Sequence, residues 1–388
     1  MSNSEIIYLD HAAATPLDEN VLAAMQPYFA DDFYNPSSPY APAVLVKNAM
    51  EDARHRLAIS LGVRPTEIVI TAGATESINL ALRVAADGHM VTTSIEHDAV
   101  LKAAQAYDNT VVAVDQRGVV DPAAIKSAIT DRTRLVSVGL ANHEIGTIQK
   151  LRDIASVVHE VRVERQNHGD KTPLWLHSDA SQGVGQIDVN VARLGVDMLT
   201  LNASKIYGPK QVGLLYAAPG VDLKPLVYGG GQERGLRSGT ENVAGIIGFA
   251  TALEMAERKR KSEAHRLGEL RDYLERQLID NFDDMVISGH QKRRLPGHLH
   301  VSFPNLDAER LVFLLEARGV LVATGSACSA NQNTRSHVLE AIGLAPEVAD
   351  GSLRLTLGRL SNQENIKRAA DIIVEVIKGE KTRVGQHA

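Results

Sequence analysis

The chain has one cysteine in 388 residues, and it lies among small and polar residues. Cys328 falls within "GSACSANQ" (325–332). A lone thiol is most often a small buried hydrophobe, but the sequence around this one offers no large apolar residues to pack against. A reactive thiolate needs access to its reaction partner. We therefore interpret Cys328 as a candidate nucleophile on a polar loop.

Two other segments could supply the groups that an aldehyde cofactor needs. Lys205 follows an apolar run in "LTLNASKIYGPKQVG" (199–213), and Asp179 ends the apolar run "LWLHSD" (174–179). A lysine amine forms a Schiff base with an aldehyde, and a carboxylate keeps a pyridine nitrogen protonated. Taken alone, Lys205 could equally be a surface lysine, with Lys210 as a competing candidate. Asp179 alone could equally be a turn residue.

A third segment could hold a phosphate group. In "ITAGATESINLAL" (70–82), an apolar run ends at small residues, and a helical pattern follows. Free N–H groups at a helix start favour an anion, and Thr75 adds a hydroxyl donor. The alternative is an ordinary strand–turn–helix with Thr75 as the N-cap. The glycine-rich "YGGGQERGLRSGTENV" (228–243) suits an anion site, a subunit contact or a structural loop.

Short apolar runs that alternate with helical patterns predict the elements that position these groups. The predicted strands are 67–71, 89–94, 110–114, 134–140, 174–179, 197–202 and 212–217, and the predicted helices between them include 76–86, 97–107 and 150–167. This alternation is typical of a mainly parallel sheet covered by helices. Ligands of such sheets bind at the carboxyl ends of the strands, where several of the segments above fall.

The last third of the chain has a different pattern. A long helix is expected from near Asn242, and it leads into a mixture of strands and helices typical of a smaller α+β domain. The expected elements beyond it are two strands and a helix, at 298–303, 353–358 and 307–319.

Composition limits the classes of function. The net charge of -6 gives no reason to expect nucleic acid as a partner, and the apolar runs are too short to span a membrane. One cysteine allows no internal disulfide, and no signal peptide is recognised, so we expect a cytoplasmic protein. Three histidines cluster in "SGHQKRRLPGHLH" (288–300), but no carboxylate or thiol accompanies them. We interpret them as strand or solvent-facing residues and expect no metal site.

The ordered set of motifs resembles the cysteine desulfurases, pyridoxal-phosphate enzymes of the aminotransferase class V family. The resemblance extends from "YLDHAAATPL" (8–17) to "LRLTLGR" (353–359). "GSACS" (325–329) on a longer loop, together with "RSGT" (237–240), resembles the NifS/IscS-like class I branch. The other matching motifs are "NPSS" (35–38), "GATESINLA" (73–81), "EHDAV" (96–100), "NHEIGT" (142–147), "SDASQ" (178–182), "SKIYGPK" (204–210) and "GGGQERGLRSGTENV" (229–243).

The resemblance implies a fold type I transferase with a mainly parallel, seven-stranded sheet in its large domain. It predicts a large cofactor-binding domain over residues 15–255. Residues 1–14 and 256–388 would form a small α+β domain that carries the Cys328 loop.

The resemblance also implies roles around the cofactor ring. Lys205 would bind pyridoxal phosphate covalently, and Asp179 would pair with the pyridine nitrogen. Gln182 would contact the ring oxygen. His97 would stack on the ring and help to move protons.

A second group of residues would hold the phosphate. Ala74 and Thr75 would bind it at the helix start, with Asn202 and Ser204 as further hydrogen-bond donors. Thr240 would reach the phosphate of a neighbouring subunit, which implies a homodimer.

The implied reaction converts L-cysteine to L-alanine. Arg354 would bind the substrate carboxylate, with His143 close to it. Cys328 would accept the sulfur as a persulfide. An iron–sulfur scaffold or another acceptor, such as a carrier for tRNA thiolation, would then receive it.

Four positions depart from the family pattern. His143 stands where asparagine is usual, Asn202 where serine is usual, and Ser204 where histidine is usual, while Tyr40 lies near a common histidine position. Three alternatives therefore stay open. These are a selenocysteine lyase, an aminotransferase-type enzyme that does not use Cys328, and a weakly active sulfur-transfer or assembly partner.

Overall fold

The computed structural model describes residues 6–324 and 335–385. The predicted nucleophile, Cys328, lies outside these residues. In the described chain, thirteen strands form three sheets. They are β1 (Ile7–Tyr8), β2 (Ile68–Thr71), β3 (His89–Thr93), β4 (Asp108–Val112), β5 (Thr133–Ser137), β6 (Trp175–Asp179), β7 (Met198–Asn202), β8 (Gly213–Ala217), β9 (Val286–Ile287), β10 (His298–Ser302), β11 (Val320–Leu321), β12 (Ala323–Thr324) and β13 (Ser352–Thr356).

The same residues contain thirteen α-helices and four short 3-10 turns. The helices are α1 (Glu19–Met25), α2 (Pro27–Ala30), α3 (Ala41–Leu61), α4 (Ala74–Leu82), α5 (Asp98–Ala104), α6 (Pro122–Ala128), α7 (Leu151–Asn167), α8 (Val191–Leu194), α9 (Val243–Ile279), α10 (Ala308–Ala317), α11 (His337–Ala341), α12 (Pro346–Ala349) and α13 (Gln363–Arg383).

The large sheet has seven strands in the order β2-β8-β7-β6-β5-β3-β4. The strands are parallel except β8, which runs antiparallel to both of its neighbours. The central strands are almost entirely buried, as expected of strands that helices cover on both faces. All seven strands predicted up to residue 217 belong to this sheet, so the predicted mainly parallel seven-stranded sheet is confirmed.

The parallel strands bring the chemically important segments to one edge of the sheet. Asp179 is the last residue of β6 and Asn202 is the last residue of β7. Asp179 is in register with Thr200, so these two strand ends lie side by side. β2 is antiparallel to its neighbour β8 and ends at Thr71, just before the glycine turn into α4.

A second, antiparallel sheet has the order β12-β13-β10-β9. Its central strand β13 carries Arg354, which pairs with His300 of β10 on one side and Ala323 of β12 on the other. Helices α10 and α13 cover this sheet with a core of aromatic and aliphatic side chains that includes Phe282 and Phe303.

Helix α9 joins the two hydrophobic cores. Its side chains up to Ala256 pack into the core of the large sheet, and from Leu267 onward they pack into the core of the second sheet. The domain boundary between residues 255 and 256 stays a prediction. No helix among residues 6–324 and 335–385 is both long and apolar enough to cross a membrane.

Phe249 tests the packing of α9 because its side chain is fully buried in the large core. Phe249→Ala removes a large apolar side chain, and we expect the free energy of unfolding to fall by about 3–5 kcal/mol. Denaturant unfolding followed by circular dichroism measures this change. Phe313→Ala is the matched control, since Phe313 is 68% exposed and should change stability by less than about 0.5 kcal/mol. Equal losses in both variants would contradict this packing.

Candidate active site

A cavity of about 560 Å³ opens at the carboxyl edge of the large sheet. It brings together most of the residues that the sequence analysis singled out. Ser204 and Thr240 do not line it, and Cys328 lies outside the described residues. The predicted site residues that line the cavity are Ala74, Thr75, His97, His143, Asp179, Gln182, Asn202, Lys205 and Arg354.

The start of α4 forms one wall of the cavity. Gly73 precedes the helix with a φ of 136°, a backbone conformation that favours glycine, and the space where a Cβ would lie is open. Thr75 is the second residue of the helix and is exposed, so the alternative in which Thr75 is the N-cap is wrong. The helix start has no side-chain cap, which leaves its N–H groups available for an anion.

Lys205 projects from a short turn that follows β7. Its Nζ donates hydrogen bonds to the carbonyl oxygens of Ala12 and Ala13, at 2.7 and 2.6 Å. Gln182 Nε2 donates to the same Ala12 oxygen at 3.0 Å. The segment around residues 10–15 is therefore part of the site. The segment belongs to the motif "YLDHAAATPL" (8–17), for which no role was predicted.

Asn202 and Ser204 are hydrogen-bonded to each other. Asn202 Oδ1 accepts from both the backbone N–H and the hydroxyl of Ser204, each at 3.0 Å. This contact fixes the Asn202 side chain, whose amide group remains the donor facing the cavity. The Ser204 hydroxyl is directed toward Asn202, and its role as a phosphate donor stays a prediction.

Asp179 is held at the base of the cavity by Ser181. Its Oδ1 accepts from the Ser181 backbone N–H at 2.9 Å and from the Ser181 hydroxyl at 2.6 Å. In the same strand, His177 contacts the hydroxyls of Ser137 and Thr200. Burial lowers the pKa of His177 to about 3, so this ring is neutral near pH 7.

Two histidine rings meet above the cavity. His97 Nδ1 accepts from the backbone N–H of Ala99, so the neutral ring carries its proton on Nε2. Its ring packs edge-on against His143, with 5.0 Å between the centroids. Burial lowers the pKa of His97, and it lowers the pKa of His143 well below the usual value, helped by the positive charge of Arg354. Both rings are therefore neutral near pH 7.

Arg354 reaches the cavity from the second sheet, and its side chain is only 4% exposed. Nη2 donates to Asp10 Oδ1 at 2.7 Å, and Nη1 donates to the His143 carbonyl oxygen at 3.3 Å. These two contacts hold the guanidinium plane in place and leave other N–H groups for a ligand carboxylate. Sequence reasoning missed Asp10, whose role depends on a contact 344 residues away.

Sequence reasoning also missed Glu96 and His337, which line the cavity. The Thr93 hydroxyl donates to Glu96 at 2.6 Å, and the Gly139 N–H donates to both of its oxygens. Burial raises the pKa of Glu96 to about 7, and the charge of Asp179 adds to this effect. His337 Nε2 contacts the Glu96 carbonyl oxygen at 2.9 Å.

The glycine-rich segment 229–242 is docked beside the start of α4. Arg237 Nε is 3.0 Å from Glu76 Oε1, and the buried Glu233 pairs with Arg54. Thr240 is exposed at the end of this segment and does not line the cavity of its own chain.

The clustered histidines of the second sheet are buried. His298 and His300 are buried strand residues of β10, with 2% and 0% exposure, so of the two interpretations the strand one holds for this pair. Within residues 6–324 and 335–385, no three histidine, cysteine or carboxylate side chains are close enough to hold a metal ion.

Glu96 predicts a measurable dependence of stability on pH. Its pKa of about 7 in the folded protein exceeds the ordinary value of 4.5, so the folded state holds an extra proton between these two pH values. This proton makes stability decline as pH rises, by at most about 1.4 kcal/mol per pH unit. In protein without cofactor, we expect the free energy of unfolding of Glu96→Gln to rise relative to that of the wild type as pH increases from 5 to 7.

Denaturant unfolding at several pH values measures this difference. Buried histidines such as His177 contribute stability that is lost as pH falls, opposite to the effect of Glu96. This contribution is the same in the wild type and in Glu96→Gln, so it cancels in the difference between them. Glu269→Gln is the surface control, and its curve should stay parallel to that of the wild type. A Glu96→Gln curve parallel to the wild type would mean that Glu96 is already ionised at pH 5.

The chain matches one family of known proteins over most of its length. The aminotransferase class-V family model matches residues 7–369. Cysteine desulfurase IscS of Dictyoglomus turgidum is 39% identical over 387 residues, which cover 97% of this chain and 95% of that protein. A solved NifS-like protein superposes with a TM-score of 0.88 at 34% identity, over 96% of this chain and 100% of that one.

A second solved structure, SspA in complex with cysteine, has a TM-score of 0.76 at 34% identity, over 90% of this chain and 98% of that one. The predicted fold type I architecture and the predicted cofactor, pyridoxal phosphate, are confirmed by these relatives. The chain therefore belongs to the aminotransferase class V family and, within it, to the cysteine desulfurases of the NifS/IscS-like type.

Proposed function

We propose that this protein converts L-cysteine to L-alanine and passes the sulfur on from a persulfide of Cys328. The observation that carries the proposal is one cavity in which a lysine amine, a carboxylate and an arginine face each other, as Lys205, Asp179 and Arg354 do. A solved relative at 34% identity is described in complex with cysteine, which supports the choice of substrate.

The residues of the cavity fit pyridoxal phosphate. The uncapped start of α4, at Ala74 and Thr75, would hold the phosphate with the Asn202 amide, and Asp179 would pair with the pyridine nitrogen. Gln182 would contact the ring oxygen. When bound, the cofactor supplies a sink for the electron pair left on the substrate's α-carbon.

Lys205 is the residue that both binds the cofactor and moves the proton. Its amine lies at the cavity wall beside Ala12 and Ala13, within reach of the space that Asp179 also borders. With cofactor and substrate bound, the free Lys205 amine would be the base that takes the α-proton. The protonated lysine can return this proton to the substrate, and the neutral His97 ring can assist with a hydrogen bond from Nε2.

Arg354 orients the substrate through its carboxylate. The contacts with Asp10 and the His143 carbonyl fix the guanidinium before the substrate arrives, which lowers the entropy cost of binding. The neutral His143 ring beside it can hydrogen-bond a carboxylate without adding a charge of its own.

The sulfur transfer balances without an external oxidant. The Cys328 thiolate attacks the sulfur of the substrate, an S–S bond forms, and the C–S bond of the substrate breaks. The carbon atom keeps the electron pair of that bond and is protonated, so the products are L-alanine and a persulfide on Cys328. A dithiol then reduces the persulfide and releases sulfide.

We also infer a homodimer. Thr240 is exposed and lies outside the cavity of its own chain, so the predicted phosphate contact needs a second copy. Several large apolar side chains are exposed on the isolated chain, which is typical of a surface that a partner covers. They include Phe29, Phe33, Leu45 and Tyr228.

The acceptor and the location are further parts of the proposal. An iron–sulfur scaffold or a carrier for tRNA thiolation would take the persulfide sulfur. A reducing compartment such as the cytoplasm suits an enzyme whose single cysteine must return to the thiol form.

The deciding experiment measures alanine and sulfide from L-cysteine in the presence of a dithiol, on protein loaded with pyridoxal phosphate. We expect equal amounts of both products from the wild type. Lys205→Ala should lose both products and the visible absorbance of the bound cofactor, and Cys328→Ala should lose sulfide release. Lys210→Ala and Ser329→Ala are the matched controls and should keep both activities.

The same assay separates the alternatives. Full activity of Cys328→Ala would favour an aminotransferase-type enzyme that does not use this thiol. A higher rate with selenocysteine than with cysteine, retained in Cys328→Ala, would favour a selenocysteine lyase. A wild type that binds no cofactor and makes neither product would favour a sulfur-transfer or assembly partner.

A further inference from the structure

A layer of buried polar side chains lies behind Arg354, away from the cavity. Glu144 follows His143 in the loop after β5, and His300 lies on β10 directly opposite Arg354 of β13. The side chains of Glu144 and His300 are both 0% exposed. Neither Glu144 nor His300 has a role in the proposed reaction.

The two side chains face each other with unpaired atoms. Glu144 Oε1 is 3.7 Å from His300 Nε2, and neither atom has a hydrogen-bond partner within the described residues. An unpaired polar atom in the interior costs about 1–3 kcal/mol. A shift of well under 1 Å would bring these atoms into hydrogen-bond distance, and one shared proton would satisfy both.

Their surroundings decide where this proton resides. The groups with charge or a titratable proton that face Glu144 are His300 from β10 and Arg354 from β13. Burial and the positive charge of Arg354 lower the pKa of His300 to about 3, which disfavours an imidazolium. Burial raises the pKa of Glu144 to about 8. The proton therefore belongs to the carboxyl group, which donates it to the imidazole.

The other oxygen of Glu144 joins a different element. Oε2 accepts from the Ser336 hydroxyl at 2.8 Å, and Ser336 caps α11 by accepting from the N–H groups of Val338 and Leu339. The next residue, His337, lines the cavity. Glu144 thus contacts the strand neighbour of Arg354 on one side and the start of the helix that carries His337 on the other.

The peptide group between His143 and Glu144 is tied to the same structure. The Glu144 N–H donates to Asn142 Oδ1 at 2.9 Å, and the carbonyl oxygen of His143 accepts from Arg354. A displacement of Glu144 would therefore disturb the contacts of His143 and Arg354, which both line the cavity.

We propose that Glu144 is a positioning residue of the active site, whose carboxyl group donates to His300, accepts from Ser336 and thereby holds Arg354, His143 and His337 in place. This inference rests on the proposed function in one respect, the role of Arg354 as the ligand of the substrate carboxylate. Ionisation of Glu144 at alkaline pH removes the proton that it donates to His300 and places a negative charge near Arg354, so the new carboxylate competes with the substrate for the arginine.

The first test is infrared spectroscopy of the protein without cofactor or substrate. The difference between wild type and Glu144→Gln should contain the C=O band of a protonated carboxylic acid at pH 6–7. This band should be replaced by carboxylate bands as pH rises through about 8. Glu96→Gln is the matched control and should remove a separate band without changing this one. Carboxylate bands alone at pH 6–7 would overturn the proposal.

The second test compares the kinetics of two substitutions. Glu144→Gln keeps a donor and an acceptor, so we expect its KM for L-cysteine to be within about threefold of the wild-type value at pH 7. Because glutamine does not ionise, the rise in KM above pH 8 should be smaller in this variant than in the wild type. Glu144→Leu should raise KM about tenfold or more, with a smaller change in kcat, because Arg354 loses its support. An unchanged KM in Glu144→Leu, or an alkaline rise in Glu144→Gln equal to that of the wild type, would overturn the proposal.

His300→Asn tests the same contact from the other side if Glu144→Leu fails to fold. The Glu144 band should shift in frequency and titrate at a different pH, and an unchanged band would overturn the proposal. Infrared measurement needs no turnover, so the two ideas can fail separately. A protein with the expected band and no desulfurase activity contradicts the proposed function alone, whereas an active enzyme without the band contradicts only the role of Glu144.

Discussion

The parallel alignment of β5, β6 and β7 is the constraint on which the active site depends. Parallel strands end at the same edge of a sheet, so Asp179 and Asn202 come together although 23 residues separate them along the chain. The turn into Lys205 continues from the same edge. A hairpin arrangement of these strands would place Asp179 and Lys205 at opposite ends. The fold thus sets the spacing of the groups before any side-chain contact forms.

The segment at residues 10–15 joins the two halves of the site. Backbone carbonyls of this segment accept hydrogen bonds from Lys205 and Gln182 of the large sheet, and Asp10 pairs with Arg354 of the second sheet. His11 contacts the backbone of β13 as well. This short segment therefore fixes the position of the cofactor side of the cavity relative to its substrate side.

Burial divides the ionisable groups of the site into neutral and charged sets. Glu144 and His143 are neutral near pH 7 because they are enclosed by protein, and burial raises the pKa of Glu96 to about 7. Each still has hydrogen-bonding atoms to offer. Arg354, by contrast, is buried with a carboxylate partner in Asp10. The cavity thus has a few charged side chains at fixed positions among neutral side chains that can form hydrogen bonds. This arrangement suits recognition of a small zwitterionic amino acid.

The amino-acid sequence alone determined the sheet, the family and most of the residues at the cavity. Apolar runs indicate buried strands, and motifs such as the one around Lys205 are local patterns, so both can be recognised without knowledge of the tertiary structure. Asp10, Glu96, His337 and the pairing of Glu144 with His300 were decided by the tertiary structure alone. Their roles arise from burial and from contacts between segments as much as 344 residues apart, which no local pattern encodes.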